Sequence, residues 1–447
     1  MRHLLRPNSF PLQKDNFMKN VSTKSSDVYL RDAKIPWITF LFLAAVFFVA
    51  THDLFFSLIE DFNMPLDLLE KATIEGSLTR RIAFLSLGLL GAVSLMRQGL
   101  SRLKINGLLG WLILFYIFWS FLSIAWAEDS ALTFRRLVIF AMLCLSALAV
   151  SKSFSLRDII FFVLLSTGFY LLIGIVAEIA LGTFHPIEPI YRFAGTIHPN
   201  QQGRHFAMLL IAGVTAAQSV KRGRILFLAC ILIGIIFLIL TKSRTSFACA
   251  MLALFAYWAL LSSLSHKITL FLVVSITFCL FLLLVGDAFF PAMRQGILLG
   301  REDPTVYTLT GRVPLWHQCL EYVAKRPLIG YGYNSFFNSR NIRTFSNSQG
   351  WALSAGHSVY LELLLNVGCI GMITFVLIFI LGIKKSIKYL KIFGNIEYAF
   401  LCSLLVFFVF VGILESGLIT SSFQMFLSMV VLARLGFQNP QDTKEYS

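Results

Sequence analysis

Apolar residues in this chain neither alternate nor recur at every third or fourth place; they come in long unbroken runs. A helix needs about 17–25 such residues to cross a hydrocarbon core of roughly 30 Å. Twelve runs lie near 36–58, 82–96, 107–126, 136–151, 158–181, 203–220, 225–241, 245–264, 268–287, 357–382, 396–415 and 417–436. The second and fourth are short. Unbroken runs predict helices, because barrel strands would alternate in and out. The expected fold class is an all-α polytopic membrane protein of about twelve transmembrane helices. One long loop is expected between helices 9 and 10. The corresponding divisions are a basic tail at 1–35, helices 1–9 within 36–287, the loop at 288–356, helices 10–12 within 357–436, and a short tail at 437–447. No internal repeat is visible, which disfavours an inverted-repeat transporter.

Composition agrees. The 447 residues are 57% hydrophobic and 14% charged, with 44 Phe, whereas a soluble domain carries about a quarter charged residues. Mean hydropathy is +0.76. Of seven cysteines, only Cys319 lies in the long loop; the rest sit in apolar runs, without metal-ligand spacing or a disulfide framework. They read as small apolar packing residues. Residues 1–35 are too long and polar for a signal-peptide n-region, and the run after them is too long for an h-region. A cytoplasmic tail before an uncleaved first span is expected, drawn to anionic lipid by its charge.

The formal net charge is +15. With the N-terminus inside, sorting Lys and Arg by side places that whole excess on the inner face, as the positive-inside rule requires. The basic balance therefore reflects topology and not nucleic acid. Both chain ends are expected inside, and the 182–202 and 288–356 segments outside.

The informative residues are cations on the outer side. Arg192 and Arg204 bracket RFAGTIHPNQQGR. Asn200 and the amides after it, beside a helix N-terminus and Arg204, suit an anion at the membrane surface; ordinary helix capping by Asn200 is the alternative. The sequence TKSRTS joins two apolar runs with almost no loop, holding Arg244 between Ser243 and Thr245. Such an Arg can fork two phosphate oxygens, or simply snorkel at the end of a span. In the long loop, Arg312 precedes an amphipathic pattern over 314–325, with Pro in its first turn; this helix could instead lie on the bilayer. After Pro327 comes Gly330-Tyr331-Gly332-Tyr333, a tight aromatic turn whose tyrosines would stack on sugars or anchor at the interface. His357 opens the next run in AGHSVY, ahead of Tyr360. A neutral imidazole at a helix start can take a proton from a hydroxyl. Glu415, in ILESGL, is expected to pair with one of these arginines; orienting His357 or standing in water are the alternatives. The long loop holds three carboxylates and the chain has no DxD, so neither a metal clamp nor another cofactor is expected.

Taken in order, RFAGTIHPNQQG, TKSRTS, LTGRVPLW…RPLIGYGYNSF and AGHSVYLELLLNVGCIG resemble the superfamily of O-antigen ligases and of O-antigen and exopolysaccharide polymerases, which are membrane GT-C glycosyltransferases. The resemblance covers roughly residues 190–375. Ser358 departs from it, standing where members commonly carry Asn. The resemblance implies metal-independent transfer of a glycan from undecaprenyl pyrophosphate at the periplasmic face of the bacterial inner membrane. The acceptor would be another glycan or lipid A–core. The family's phosphate-binding arginines map onto Arg244 and Arg312, and its acceptor-activating histidine onto His357. Direct displacement would invert the anomeric centre. Polymerase and ligase both remain open, with the LTGR and GYGY wording closer to the polymerases.

Two other classes compete. A flippase for lipid-linked sugars predicts ionisable residues lining a path at mid-bilayer, yet the polar residues here crowd one face. A scaffold within a polysaccharide assembly complex predicts tolerance of every outer-face substitution.

Overall fold

The computed structural model describes residues 65–98, 104–188, 191–220, 223–263 and 311–438, with a few positions between 43 and 49. The tail at 1–35, most of the expected first span, the ninth span and the loop as far as 310 lie outside the described residues, as do the last nine residues of the chain.

Every described element is helical. α1 (Leu66–Ile74) and α2 (Leu78–Gln98) are followed by α3 (Gly107–Leu122), α4 (Ser130–Ser153) and α5 (Leu156–Ala180). Next come α6 (Pro199–Ser219), α7 (Arg224–Leu240) and α8 (Arg244–Leu261). Beyond the undescribed stretch lie α9 (Arg312–Lys325), α10 (Ser339–Gln349), α11 (Val359–Phe393), α12 (Glu397–Val411) and α13 (Phe423–Phe437). Among the described residues six helical stretches are long and apolar enough to cross a membrane, and α7, α12 and α13 are shorter apolar helices. The chain is an integral membrane protein. Apolar side chains such as Trp111 and Phe118 of α3, and Leu226 and Leu232 of α7, stand exposed, as lipid-facing stripes do.

α6 is the central helix. It packs against α5, α7, α8 and α12, and nearly every residue from Gln202 to Ala217 is buried. That position lets it carry Gln202, Arg204 and His205 in its N-terminal turns: protein, not lipid, surrounds them. Small residues set other contacts. A Cβ on Gly91 of α2 would stand 2.7 Å from the Ser146 Cα of α4, and one on Gly110 of α3 would stand 2.7 Å from the Gly436 carbonyl of α13.

The long loop differs from its expected form. Its described part holds two helices, α9 and α10, where one amphipathic helix was predicted. Both pack with the turn at 330–337 and with α11 around an aromatic core of Leu315, Cys319, Tyr331, Phe336, Ile342, Phe345 and Leu353. The second helix, SRNIRTFSNSQ, is capped by the Asn338 side chain and buries Ile342 and Phe345.

α11 is broken. Gly368 adopts φ 69, ψ −173 within it. The segment Pro327–Gly332 lies across the break and restores its hydrogen bonds. Tyr331 N–H donates to the Leu365 carbonyl at 2.8 Å, and Gly332 N–H to the Asn366 carbonyl at 2.9 Å. Cys369 N–H donates to the Pro327 carbonyl at 2.8 Å, and the Trp119 indole to the Val367 carbonyl at 3.0 Å. Irregular backbone is tolerated in such a helix only where protein satisfies it in this way. The approach is closest at Gly368, where an added Cβ would stand 2.1 Å from the Leu328 carbonyl oxygen.

The expected eleventh and twelfth spans also change. Their helices end at Val411 and begin at Phe423, so Glu415 lies in an irregular segment between them and does not close a helix.

Candidate active site

The N-terminal turn of α6 supplies the first part of the site. Pro199 opens the helix instead of stopping one, and His198, not Asn200, is the cap: its Nδ1 accepts the Asn200 N–H at 3.1 Å. The Asn200 side chain is thereby left to act as a connector. Its Oδ1 accepts from Arg192 Nη2 at 3.1 Å, and its Nδ2 donates to Glu415 Oε1 at 3.2 Å. Arg192 Nε donates to the Thr241 carbonyl at 3.2 Å.

The same Glu415 oxygen accepts from Arg312 Nη2 at 3.1 Å. A second Arg312 nitrogen donates to the Leu414 carbonyl. Arg312 is the first residue of α9, delivered by Gly311 in the left-handed region at φ 81. One continuous relay therefore runs from Thr241 through Arg192, Asn200 and Glu415 to Arg312. It joins four separate stretches of chain.

Arg204 lies one turn below Asn200, 7% exposed, with its buried Nη1 lacking any hydrogen-bond partner. Space for it exists because residue 417 is glycine: a Cβ there would stand 2.1 Å from that nitrogen. Burial opposes ionisation of Glu415, but the charges of Arg204 and Arg312 outweigh it and hold the carboxyl below its ordinary range. Two guanidinium groups thus share one carboxylate.

His357 precedes α11 with φ 53, a left-handed conformation that costs an ordinary residue on the order of 1–2 kcal/mol. Its ring lies 5.8 Å from that of Trp351. Loss of water around the ring, then Arg312, and Arg204 against the opposing pull of Glu415, bring its pKa down to about 4. His198 falls to about 3, through burial first and then nearby Arg192, His357 and Arg204, again against Glu415. Both imidazoles are neutral at pH 7.

The sequence candidates divide accordingly. Arg192, Asn200, Arg204, Arg312, His357 and Glu415 gather at one end of the bundle, within hydrogen-bond or electrostatic reach of one another. Arg244 opens α8 on the turn that packs against the start of α6. In that turn Ser243 donates to Ser246 at 2.9 Å, and Ser246 reaches the Asn200 carbonyl at 3.5 Å. Thr245 follows in the same turn. Tyr360 is tied to α12 by a hydrogen bond of 2.7 Å to the Val409 carbonyl. Tyr331 and Tyr333 are elsewhere. Tyr331 is packed in the aromatic core, its hydroxyl bonded to the Tyr322 carbonyl at 2.9 Å. Tyr333 packs on Phe140, ring centroids 4.8 Å apart. As placed, neither offers a ring face to a sugar.

Sequence reasoning missed three contributors. Glu362 binds the loop that carries His357. Glu178 of α5 accepts the Ala194 and Gly195 N–H groups at 2.8 and 2.7 Å and the Tyr191 hydroxyl, shaping the segment that delivers Arg192. His198 is the third, legible in hindsight from His-Pro at a helix start. Among the described residues no three His, Cys, Asp or Glu side chains gather as a metal site.

Residues 228–376 match a family model described as O-antigen ligase. No curated protein matches the chain. The matched stretch carries Arg244, Arg312 and His357, while Arg192, Asn200, Arg204 and Glu415 join the cluster from outside it.

Proposed function

We propose that this chain, which carries an O-antigen ligase family domain at residues 228–376, transfers a glycan from a polyprenyl diphosphate carrier to an acceptor hydroxyl. Undecaprenyl is the expected carrier. The reaction takes place on the periplasmic face of a bacterial inner membrane, with 288–356 outward and both chain ends inward. The observation that carries the reading is the relay that holds Arg312 and Glu415 beside buried Arg204, with neutral His357 in the same field.

The chemistry follows from charge. A lipid diphosphate is already a good leaving group. As the anomeric C–O bond breaks, negative charge grows on the diphosphate, and Arg204, Arg312 and Arg244 meet it with fixed guanidinium groups. Losing one such contact costs about 2.7–4 kcal/mol of barrier. The acceptor hydroxyl attacks the anomeric carbon from the opposite side while His357 takes its proton, so the centre inverts. No metal takes part in this scheme. Glu415 aims Arg312 and yields part of that guanidinium to the incoming phosphate.

The test uses membranes supplied with lipid-linked repeat units. Arg312→Ala and His357→Ala, expressed at wild-type level, cut transfer to a small residual rate on this reading; full glycan output from both would favour a flippase instead. Chain growth without lipid A–core marks a polymerase, and dependence on that acceptor marks a ligase.

A further inference from the structure

Glu362 has no part in the scheme above, yet it is 3% exposed in the first turn of α11. Its Oε1 accepts the Gly356 N–H at 2.9 Å and the Ser416 hydroxyl, and the His357 N–H lies near enough to favour the carboxylate. The other side of the Gly356 peptide is held as well, its carbonyl accepting from the Trp316 indole at 2.9 Å. Gly356 is small for a reason: an added Cβ would press to 3.3 Å from the Glu362 Cγ. Arg136 of α4 lies close enough to act on the buried carboxyl.

Two facts make this contact more than packing. His357 sits at φ 53, a conformation that persists only where its surroundings over-determine it. The carboxylate, by taking the N–H of Gly356 and standing beside that of His357, is the group that does so. Ser416, moreover, is the neighbour of Glu415, which holds Arg312. A single side chain therefore joins the loop bearing the imidazole to the loop bearing the arginine's partner.

We propose that Glu362 is a positioning residue, a latch that sets His357 at a fixed place relative to the Arg312–Glu415 pair. This rests on the reading of His357 as proton acceptor. It assigns Glu362 no contact with substrate.

The experiment compares Glu362→Ala, Glu362→Gln, Ser416→Ala, His357→Ala and the Glu362→Ala/His357→Ala double variant of the full chain in detergent. The probe is a lipid-diphosphate-linked glycan. A displacement of about 1 Å costs on the order of 100-fold in rate, so Glu362→Ala lowers kcat by about 10- to 100-fold while KM for the lipid-linked donor stays within about threefold. Glutamine keeps one acceptor oxygen and restores part of the rate. Residues acting as one unit are not additive, so the double variant is no slower than His357→Ala alone. Hydrogen exchange at the amides of residues 355–358 speeds up in Glu362→Ala, with α12 unchanged. Ser416→Ala cuts only one arm of the latch; it serves if the buried variant fails to fold, and shows the same kcat loss to a smaller degree. Wild-type kcat in Glu362→Ala, unchanged exchange at 355–358, or a double variant slower by the product of the two single effects would each overturn the latch. Full transfer by His357→Ala would instead overturn the proposed function, whatever Glu362 does.

Discussion

Replacing Glu415 with alanine removes the only carboxylate that Arg312 touches among the described residues. The pair is 3.1 Å apart, with side chains 12% and 8% exposed. Two unit charges at that distance attract by about 5 kcal/mol at an effective dielectric of 20. Desolvating two ions costs several kcal/mol each, so the intact pair contributes little net stability. Breaking it is another matter, since the cation stays behind. Stranding one member of a buried pair costs about 3–5 kcal/mol, and here Arg204 loses the same counter-charge. Glu415→Gln keeps an oxygen for Arg312 and Asn200 while removing the charge, so its loss is smaller, about 1.5–3 kcal/mol. The assay is thermal melting of detergent-solubilised protein, followed by size-exclusion chromatography. Alanine should lower the midpoint by several degrees, glutamine by less. Added inorganic pyrophosphate should raise the midpoint of Glu415→Ala more than that of wild type, because an anion refills the vacated place. A Glu415→Ala midpoint within one degree of wild type, indifferent to pyrophosphate, would refute the idea that this carboxylate balances the guanidinium cluster.

Other outcomes follow from the same geometry. Gly417→Ala puts a methyl group where Arg204 Nη1 lies, so transfer should fall at least tenfold while the protein still folds, read from rates at matched expression. The pKa of His357 is lowered to about 4, so its neutral form persists well below pH 6.5. The rate constant kcat/KM for the free enzyme should stay flat from pH 8 to 5.5 and fall only near pH 4; a midpoint near 6.5 would mean a solvated ring. An unfolded chain binds protons at His198 and His357 near pH 6.5 that the folded chain refuses until about 3 and 4. Stability should therefore be full above pH 6.5 and decline as pH falls below it, measured as melting midpoint against pH. Gly368→Ala meets backbone at 2.1 Å with φ 69 and should abolish accumulation of folded protein, seen as loss of the monodisperse chromatographic peak.

The membrane-embedded architecture was legible because hydropathy is a local property: each described run from 82–96 to 417–436 falls on a helix. The candidate cations were legible for a related reason, since they run against the charge bias expected of the spans, and Arg192, Arg204, Arg312 and Glu415 do meet. What was not legible depends on distant partners. An aromatic turn can be platform, anchor or core, and here α9 and α10 pack Tyr331 while Phe140 of α4 packs Tyr333. Glu178 binds the Ala194 and Gly195 N–H groups and the Tyr191 hydroxyl, and backbone partners carry no sequence signature. Glu362 was overlooked as one acid in an apolar run. A carboxylate in the first turn of a membrane helix, just after Gly-His, was the signal available. The break at Gly368 was hidden for the opposite reason: NVGCIG reads as uninterrupted helix, and its disruption is set by a strand of chain more than thirty residues upstream.

That break ties biogenesis to the loop. Until residues 327–332 settle against it, the peptide groups around Gly368 face hydrocarbon unsatisfied, and inserting α11 carries a penalty of several kcal/mol for each bare group. The aromatic turn is synthesised first, so it must already be waiting when α11 enters. A chain severed between residues 338 and 355 would therefore yield a stable second half only when the first half is made in the same membrane.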